Sequence, residues 1–150
     1  RIFENSLEGI YQSNINGKII TANPAMARIF GYDSVQELIQ SVSNITTDLF
    51  VDAEARAQIF SRVAKEHKVN DYEFRSRTKA GALIWVRANI HAVVNATGVI
   101  DYIEGTMEDI TNRRVAEDNF KLQFKELQKT NYELDRFVYS VSHDLRAPLA

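Results

Sequence analysis

The 150-residue chain contains no cysteine. That excludes disulfides, thiolate metal sites and a cysteine photoadduct. Net charge is only −2, so neither a general nucleic-acid surface nor an anionic-membrane surface is expected. Uninterrupted apolar runs are far too short to span a bilayer, and no signal-peptide pattern precedes Arg1. The region therefore reads as cytoplasmic, whether the whole protein is soluble or membrane-anchored. Because the sequence starts without Met and stops within a helical pattern, it reads as a piece of a larger protein. Internal repeats and low-complexity tracts are missing too. What remains is enough apolar content, 45%, to bury a core for one domain plus an appendage.

The pattern changes near Thr111. Before it, short alternating stretches are separated by turn residues. After it come Glu, Lys, Gln, Leu and Asn with helical periodicity. In the first part, Gly9 to Asn14 and Lys18 to Ala22 read as strands around Asn16-Gly17, both of which tolerate positive φ, so a β-hairpin is predicted. Pro24 to Phe30 reads as a helix ended by Gly31, and Ser34 as the cap of a second helix over Val35 to Ile39. Ala53 to Glu66 is the longest helix of this half, with Ile59, Phe60 and Val63 on one face, and should cross the sheet. Three strands follow: Asp71 to Thr78, Ala82 to Val94 and Val99 to Glu108. In the middle one Ile84, Val86, Ala88, Ile90, Ala92 and Val94 alternate with Trp85, Arg87, Asn89 and His91. That is a sheet with one face on a core. The last strand sends Ile103, Gly105 and Met107 to the same interior. The predicted order is β-β-α-α-α-β-β-β, then a long helix.

In that helix Phe120, Phe124, Leu127, Leu134, Val138, Val141 and Leu145 fall at a and d positions of a heptad seam. With Val138 at a and Val141 at d, His143 falls at f, farthest from a partner helix, and should face water. A neutral imidazole has a lone pair near physiological pH. The neighbouring Asp144 carboxylate can accept the other ring N–H, fix the tautomer and stabilise the imidazolium. That pairing suits phosphoryl transfer to nitrogen. Pro148 has no N–H, so a bend or loosened turn is expected just after His143. Asn131, at an a position, reads either as a register pin or as a plain weakening of the seam.

The run Ser142-His143-Asp144-Leu145-Arg146-Ala147-Pro148-Leu149 resembles the H-box of sensor histidine kinases. The competing reading is a coiled-coil tail with an incidental exposed histidine. The resemblance implies that His143 is the phosphoacceptor, that Asp144 orients the imidazole and acts in acid–base exchange, and that the helix pairs in a homodimer. It further implies a downstream ATP-binding kinase domain, with ATP and Mg²⁺, and a response-regulator receiver domain as partner. Ala147 stands where that family usually has Thr or Asn, a side chain thought to position water for phosphate removal, so phosphatase activity is the part left in doubt. Nothing in the sequence resembles a Gly-rich nucleotide loop, so the fragment alone should be inactive.

Gly9-Ile10, Asn23-Pro24-Ala25, Phe30-Gly31-Tyr32, Ile84-Trp85-Val86 and Gly105-Thr106-Met107-Glu108-Asp109-Ile110-Thr111, in the element order above, resemble a PAS domain. The fold class implied is α+β: a five-stranded antiparallel sheet with flanking helices, then a long C-terminal helix forming a parallel dimeric coiled coil. The implied division is a PAS sensor domain over 1–110, a coiled-coil signalling helix over 111–137 and the start of a histidine-phosphotransfer domain over 138–150. Asp109, Ile110 and Thr111 are the expected signal-transmission residues. Thr111 should cap the outgoing helix, Ile110 pack into the sheet and Asp109 pair with Arg113 or Arg114, a contact that reads equally as solvated surface.

The family holds haem, flavin, small metabolites or nothing, and fold alone does not choose. The cofactor is therefore unknown, with none the leading expectation. His67 and His91 read as surface histidines rather than haem ligands. Phe30, Tyr32, Phe60, Tyr72 and Phe74 read as core or as the lining of a ligand cavity. Trp85, expected exposed on the polar sheet face, would receive a second subunit or an N-terminal helix within Arg1 to Glu8 carrying Phe3 and Leu7. Two other functions stay open: a PAS interaction module of a catalytically silent pseudokinase, and a ligand-binding receptor with a different output.

Overall fold

A computed structural model describes residues 2–146. The chain divides between Thr111 and Asn112 into two units. In the first, α1 (Ile2–Asn5), β1 (Gly9–Ser13), β2 (Ile19–Ala22), α2 (Pro24–Ile29), α3 (Val35–Ser41), α4 (Ile45–Asp48), α5 (Ala53–Glu66), β3 (Lys68–Arg77), β4 (Leu83–Val94) and β5 (Ile100–Asp109) follow in order. The strands form one antiparallel sheet in the order β2-β1-β5-β4-β3. This is the PAS arrangement, and α6 (Thr111–Arg146) is the long C-terminal helix.

Local chemistry sets most boundaries. Asn14 Oδ1 accepts the N–H groups of Asn16 and Lys18, while Gly17 takes φ +83°, so the β1–β2 turn closes on itself. Pro24 occupies the first turn of α2 behind the cap Asn23. Ser34 Oγ accepts from Glu37 N at the start of α3. Helix α5 ends where His67 takes φ 61° and donates its N–H to Val63 O; His67 is thus a left-handed cap and half-buried, not a free surface residue.

Several sequence expectations need correction. Helix α4 was not foreseen: Asn44 Oδ1 caps it through Thr46 N, and four residues are too few to show a helical period. Strand β3 starts three residues earlier than expected, because a bulge at Asn70–Asp71 interrupts its register with β4. There Asp71 takes φ 52° and its N–H donates to Asn89 Oδ1. Val94 is exposed rather than inward, since the β4–β5 register shifts between Val93 and Val94. Helix α1 stops at Asn5, so Leu7 does not share a helical face with Phe3 and is 90% exposed. Trp85 is half-buried, with the Arg75 guanidinium 5.9 Å from its ring centre.

The core lies between the inner sheet face and α2 to α5. Tyr11, Phe74, Val86, Ala88, Ile90 and Met107 supply the sheet side, and Met26, Phe30, Leu38, Leu49, Ile59 and Val63 the helical side. Phe50 stacks on Phe74 with ring centres 3.9 Å apart.

Candidate functional site

One end of this core is open. A cavity of about 510 Å³ lies between β1, β4 and β5 on one side and α4 and α5 on the other. Its floor is built by register. Tyr11 pairs with Gly105 across β1 and β5, and a Cβ on Gly105 would fall 2.8 Å from the Tyr11 ring. The missing side chain is what lets the aromatic ring lie flat against the strand. Ile90, Ile100 and Ile103 continue the floor, Phe50, Ile59 and Val63 form the wall, and Ile15 and Phe60 stand exposed at the rim.

The polar side chains of the lining are Tyr11, Ser13, Asn16, Asn44 and Thr46. Asn44 Oδ1 is engaged by Thr46, through both N and Oγ1. Tyr11 and Ser13 bring hydroxyls to the lining, and neither makes a hydrogen bond to another described residue. No sealed side-chain nitrogen or oxygen among the described residues is without a partner, so these two oxygens meet the open space. Burial pushes the Tyr11 phenol well above its ordinary value, which keeps it protonated and able to donate. No Asp, Glu, Lys, Arg, His or Cys lines the cavity, so the lining offers neither an imidazole nor a thiol.

Of the aromatics proposed for such a lining, only Phe60 is there. Phe30 and Phe74 are buried core, and Tyr72 donates its hydroxyl to Gln58 Oε1 at 2.7 Å instead. Tyr11 and Phe50 take their place. Tyr11 was findable from the alternation Gly9-Tyr11-Ser13, but only with the register that sets it opposite Gly105.

The junction before α6 has a definite geometry. Asp109 Oδ1 accepts from Thr111 N at 2.9 Å and from Thr111 Oγ1, and Thr111 Oγ1 accepts from Trp85 N at 2.9 Å. Thr111 is therefore the first helical residue rather than a cap before it, and its hydroxyl ties the helix start to Asp109 and to β4. Ile110 is buried, and its N–H donates to Trp85 O. Arg113 Nε lies 3.5 Å from Glu117 one turn along.

On α6, the apolar a and d residues are all exposed, as are the aromatic side chains of Tyr132, Phe137 and Tyr139. The His143 side chain is 68% exposed, and its Nδ1 lies 3.8 Å from Asp144 Oδ1. That is ion-pair range but longer than a hydrogen bond. Tyr139, one turn back, stacks near the imidazole with ring centres 6.3 Å apart. This neighbour was missed, although its i, i+4 spacing was in view. Ala147 and Pro148 lie outside the described residues, and the expected bend with them.

The family profile described as PAS domain matches residues 7–112. Among curated proteins, the chain is 23% identical to a sensor histidine kinase, TmoS, of Ectopseudomonas mendocina, covering 99% of this chain and 15% of that protein. It is 26% identical to sporulation kinase C of Bacillus subtilis (strain 168), covering 99% of this chain and 35% of that one. The chain thus spans only a minor part of these relatives. A sensory box histidine kinase/response regulator structure from Burkholderia thailandensis E264 superposes with a TM-score of 0.65 at 24% identity, over 85% of this chain and 95% of that one. Among the described residues no helix is long and apolar enough to cross a membrane.

Proposed function

Because the chain belongs to the PAS-domain family and its curated relatives are histidine kinases, we propose that it is the sensory and dimerising stretch of such a kinase, with His143 as the residue phosphorylated. A change in the PAS sheet passes through Asp109, Ile110 and Thr111 into two parallel α6 helices. Their rotation or stagger alters how His143 meets an ATP-bound domain. As 36 residues at about 1.5 Å each, α6 reaches roughly 54 Å, a lever that works only if pairing stiffens it. ATP and Mg²⁺ belong to that catalytic domain, and a receiver-domain aspartate is the onward acceptor.

The observation that carries this reading is the exposure of the a and d side chains on one face of α6, with His143 at the position opposite them. Apolar surface arranged at heptad spacing is stabilised by a second helix. With Nδ1–H turned toward Asp144, Nε2 keeps its lone pair. The Nε2–P bond forms as the bond from γ-phosphorus to the ADP oxygen breaks, and the Asp144 carboxylate meets the positive charge that develops on the ring.

The test is to incubate the intact protein with γ-labelled ATP and map the label. Acid-labile, base-stable label on His143, abolished by His143→Gln, is expected. Label elsewhere, or none in wild-type protein, overturns the proposal, and none at all favours the catalytically silent version.

A further inference from the structure

The imidazole of His143 is mostly open to solvent, so its orientation depends on its immediate neighbours. Its side chain is 68% exposed, and Asp144 Oδ1 lies 3.8 Å from Nδ1 at one edge. Against its face lies the Tyr139 ring, with centres 6.3 Å apart and planes 27° from parallel, within the range of favourable offset aromatic pairs. The helix itself brings them together. Side chains on a helix lean toward its N-terminus, so His143 reaches back over the turn that carries Tyr139.

The same arrangement occurs one heptad earlier. The Arg136 guanidinium lies 5.9 Å from the centre of the Tyr132 ring, and that pair precedes Tyr139 and His143 by seven residues. Both pairs take the b and f positions, on the side of α6 away from the a and d seam. In the earlier pair the head is always a cation, whereas the imidazole becomes one only when it is protonated or phosphorylated. The face of a tyrosine ring carries negative electrostatic character and attracts such a charge. Tyr139 therefore meets what His143 turns into.

We propose that Tyr139 is a positioning residue for His143: its ring packs on one face of the imidazole and, with Asp144 at the Nδ1 edge, leaves Nε2 at the free end for phosphoryl transfer. Tyr139 acts through the imidazole alone and touches neither donor nor phosphorus. Holding the ring in one orientation reduces the rotational freedom lost on reaching the transition state. The tyrosine face also stabilises the positive charge that develops as the Nε2–P bond forms. Because the ring rather than the hydroxyl supplies both effects, phenylalanine serves in its place. The role rests on the reading of His143 as the phosphoacceptor, but its test does not need the kinase reaction.

The experiment treats the whole 150-residue chain with phosphoramidate, a small donor that needs no nucleotide-binding domain. Nε2 bonds to phosphorus, the bond from phosphorus to the donor's protonated nitrogen breaks, and ammonia leaves with that electron pair. Phosphorus NMR separates the Nε2 from the Nδ1 product, and peptide mapping compares His143 with His67 and His91 of the other unit. Expected is Nε2 product on His143, formed about twofold to fivefold more slowly in Tyr139→Leu and at the wild-type rate in Tyr139→Phe, with His67 and His91 unchanged throughout. Proton NMR reads the contact itself: an upfield ring-current shift of the His143 ring protons is expected in wild type and Tyr139→Phe, and its loss in Tyr139→Leu. Five results overturn the proposal: Nδ1 product or none on wild-type His143, an unslowed Tyr139→Leu, a Tyr139→Phe slowed as much as Tyr139→Leu, equal slowing at His67 and His91, or no ring-current shift. Failure here with His143 labelled from ATP in the intact protein removes only the role of Tyr139. A rate that depends on Tyr139, with no label from ATP, removes only the kinase reading.

Discussion

Asn23 carries more of this fold than its size suggests. It is fully buried, its Oδ1 accepts from Ile10 N at 2.8 Å and Met26 N at 3.0 Å, and its Nδ2 donates to the carbonyls of Phe3 and Glu8 at 3.0 and 2.9 Å. One amide thus caps α2, fixes the start of β1 and holds the segment before it. Asn23→Ala removes a buried amide that serves four backbone groups, three of them at part-buried bonds, so roughly 2–4 kcal/mol of stability should be lost. Urea denaturation checks it, and a loss below about 0.5 kcal/mol would contradict the role. In the sequence Asn23 was legible only as part of Asn23-Pro24-Ala25, because a helix cap is visible locally whereas its reach to Phe3 and Ile10 needs the folded chain. Tyr11 and Gly105 show the same limit: their partnership exists only once β1 and β5 are in register.

Elements were legible where a period was long enough to be seen. Helix α5 begins and ends where its pattern predicts, and the alternation of β4 places Val86, Ala88, Ile90 and Ala92 in the core. What escaped was short or irregular: α4, with four residues, and the Asp71 bulge, where a side chain rather than a strand receives the backbone N–H. The contact between α3 and the β3–β4 turn was also invisible beforehand. There Lys79 Nζ bonds the Glu37 carboxylate, which also accepts from Asp33 N. The Lys79 hydrogen bond, then the Asp33 N–H, holds the Glu37 carboxyl below its ordinary value of 4.5. A carboxyl that binds its proton less readily when folded contributes stability above that value, and the contribution fades as pH falls below it. The pair is solvent-accessible, so its effect is small. Glu37→Gln should flatten the acid limb of thermal stability between about pH 3 and pH 5 and leave neutral stability little changed. An unaltered acid limb would show that the ion pair does not form in solution.

At the scale of the whole molecule, the two units obey different physics. The PAS unit buries its own core, whereas α6 contains no buried residue, and its exposed Phe124, Leu127, Leu134, Val138, Val141 and Leu145 await a second surface. Heptad spacing made that legible from sequence alone, since a seam is a one-dimensional pattern. What covers the seam is not, because a second copy would leave no separate mark on the chain. Asn131, between Phe124 and Val138 in the a series, would pin the register if two identical helices pair there, and otherwise only weakens the seam. The absence of cysteine opens a direct measurement: single cysteines introduced by Leu134→Cys, Val138→Cys, Val141→Cys and His143→Cys, each oxidised in the otherwise thiol-free chain. Two parallel, in-register helices bring seam positions to within disulfide reach and hold outer positions apart. The account expects rapid covalent dimers from the three seam variants and little from His143→Cys. Efficient cross-linking through position 143, or none at the seam, would contradict it.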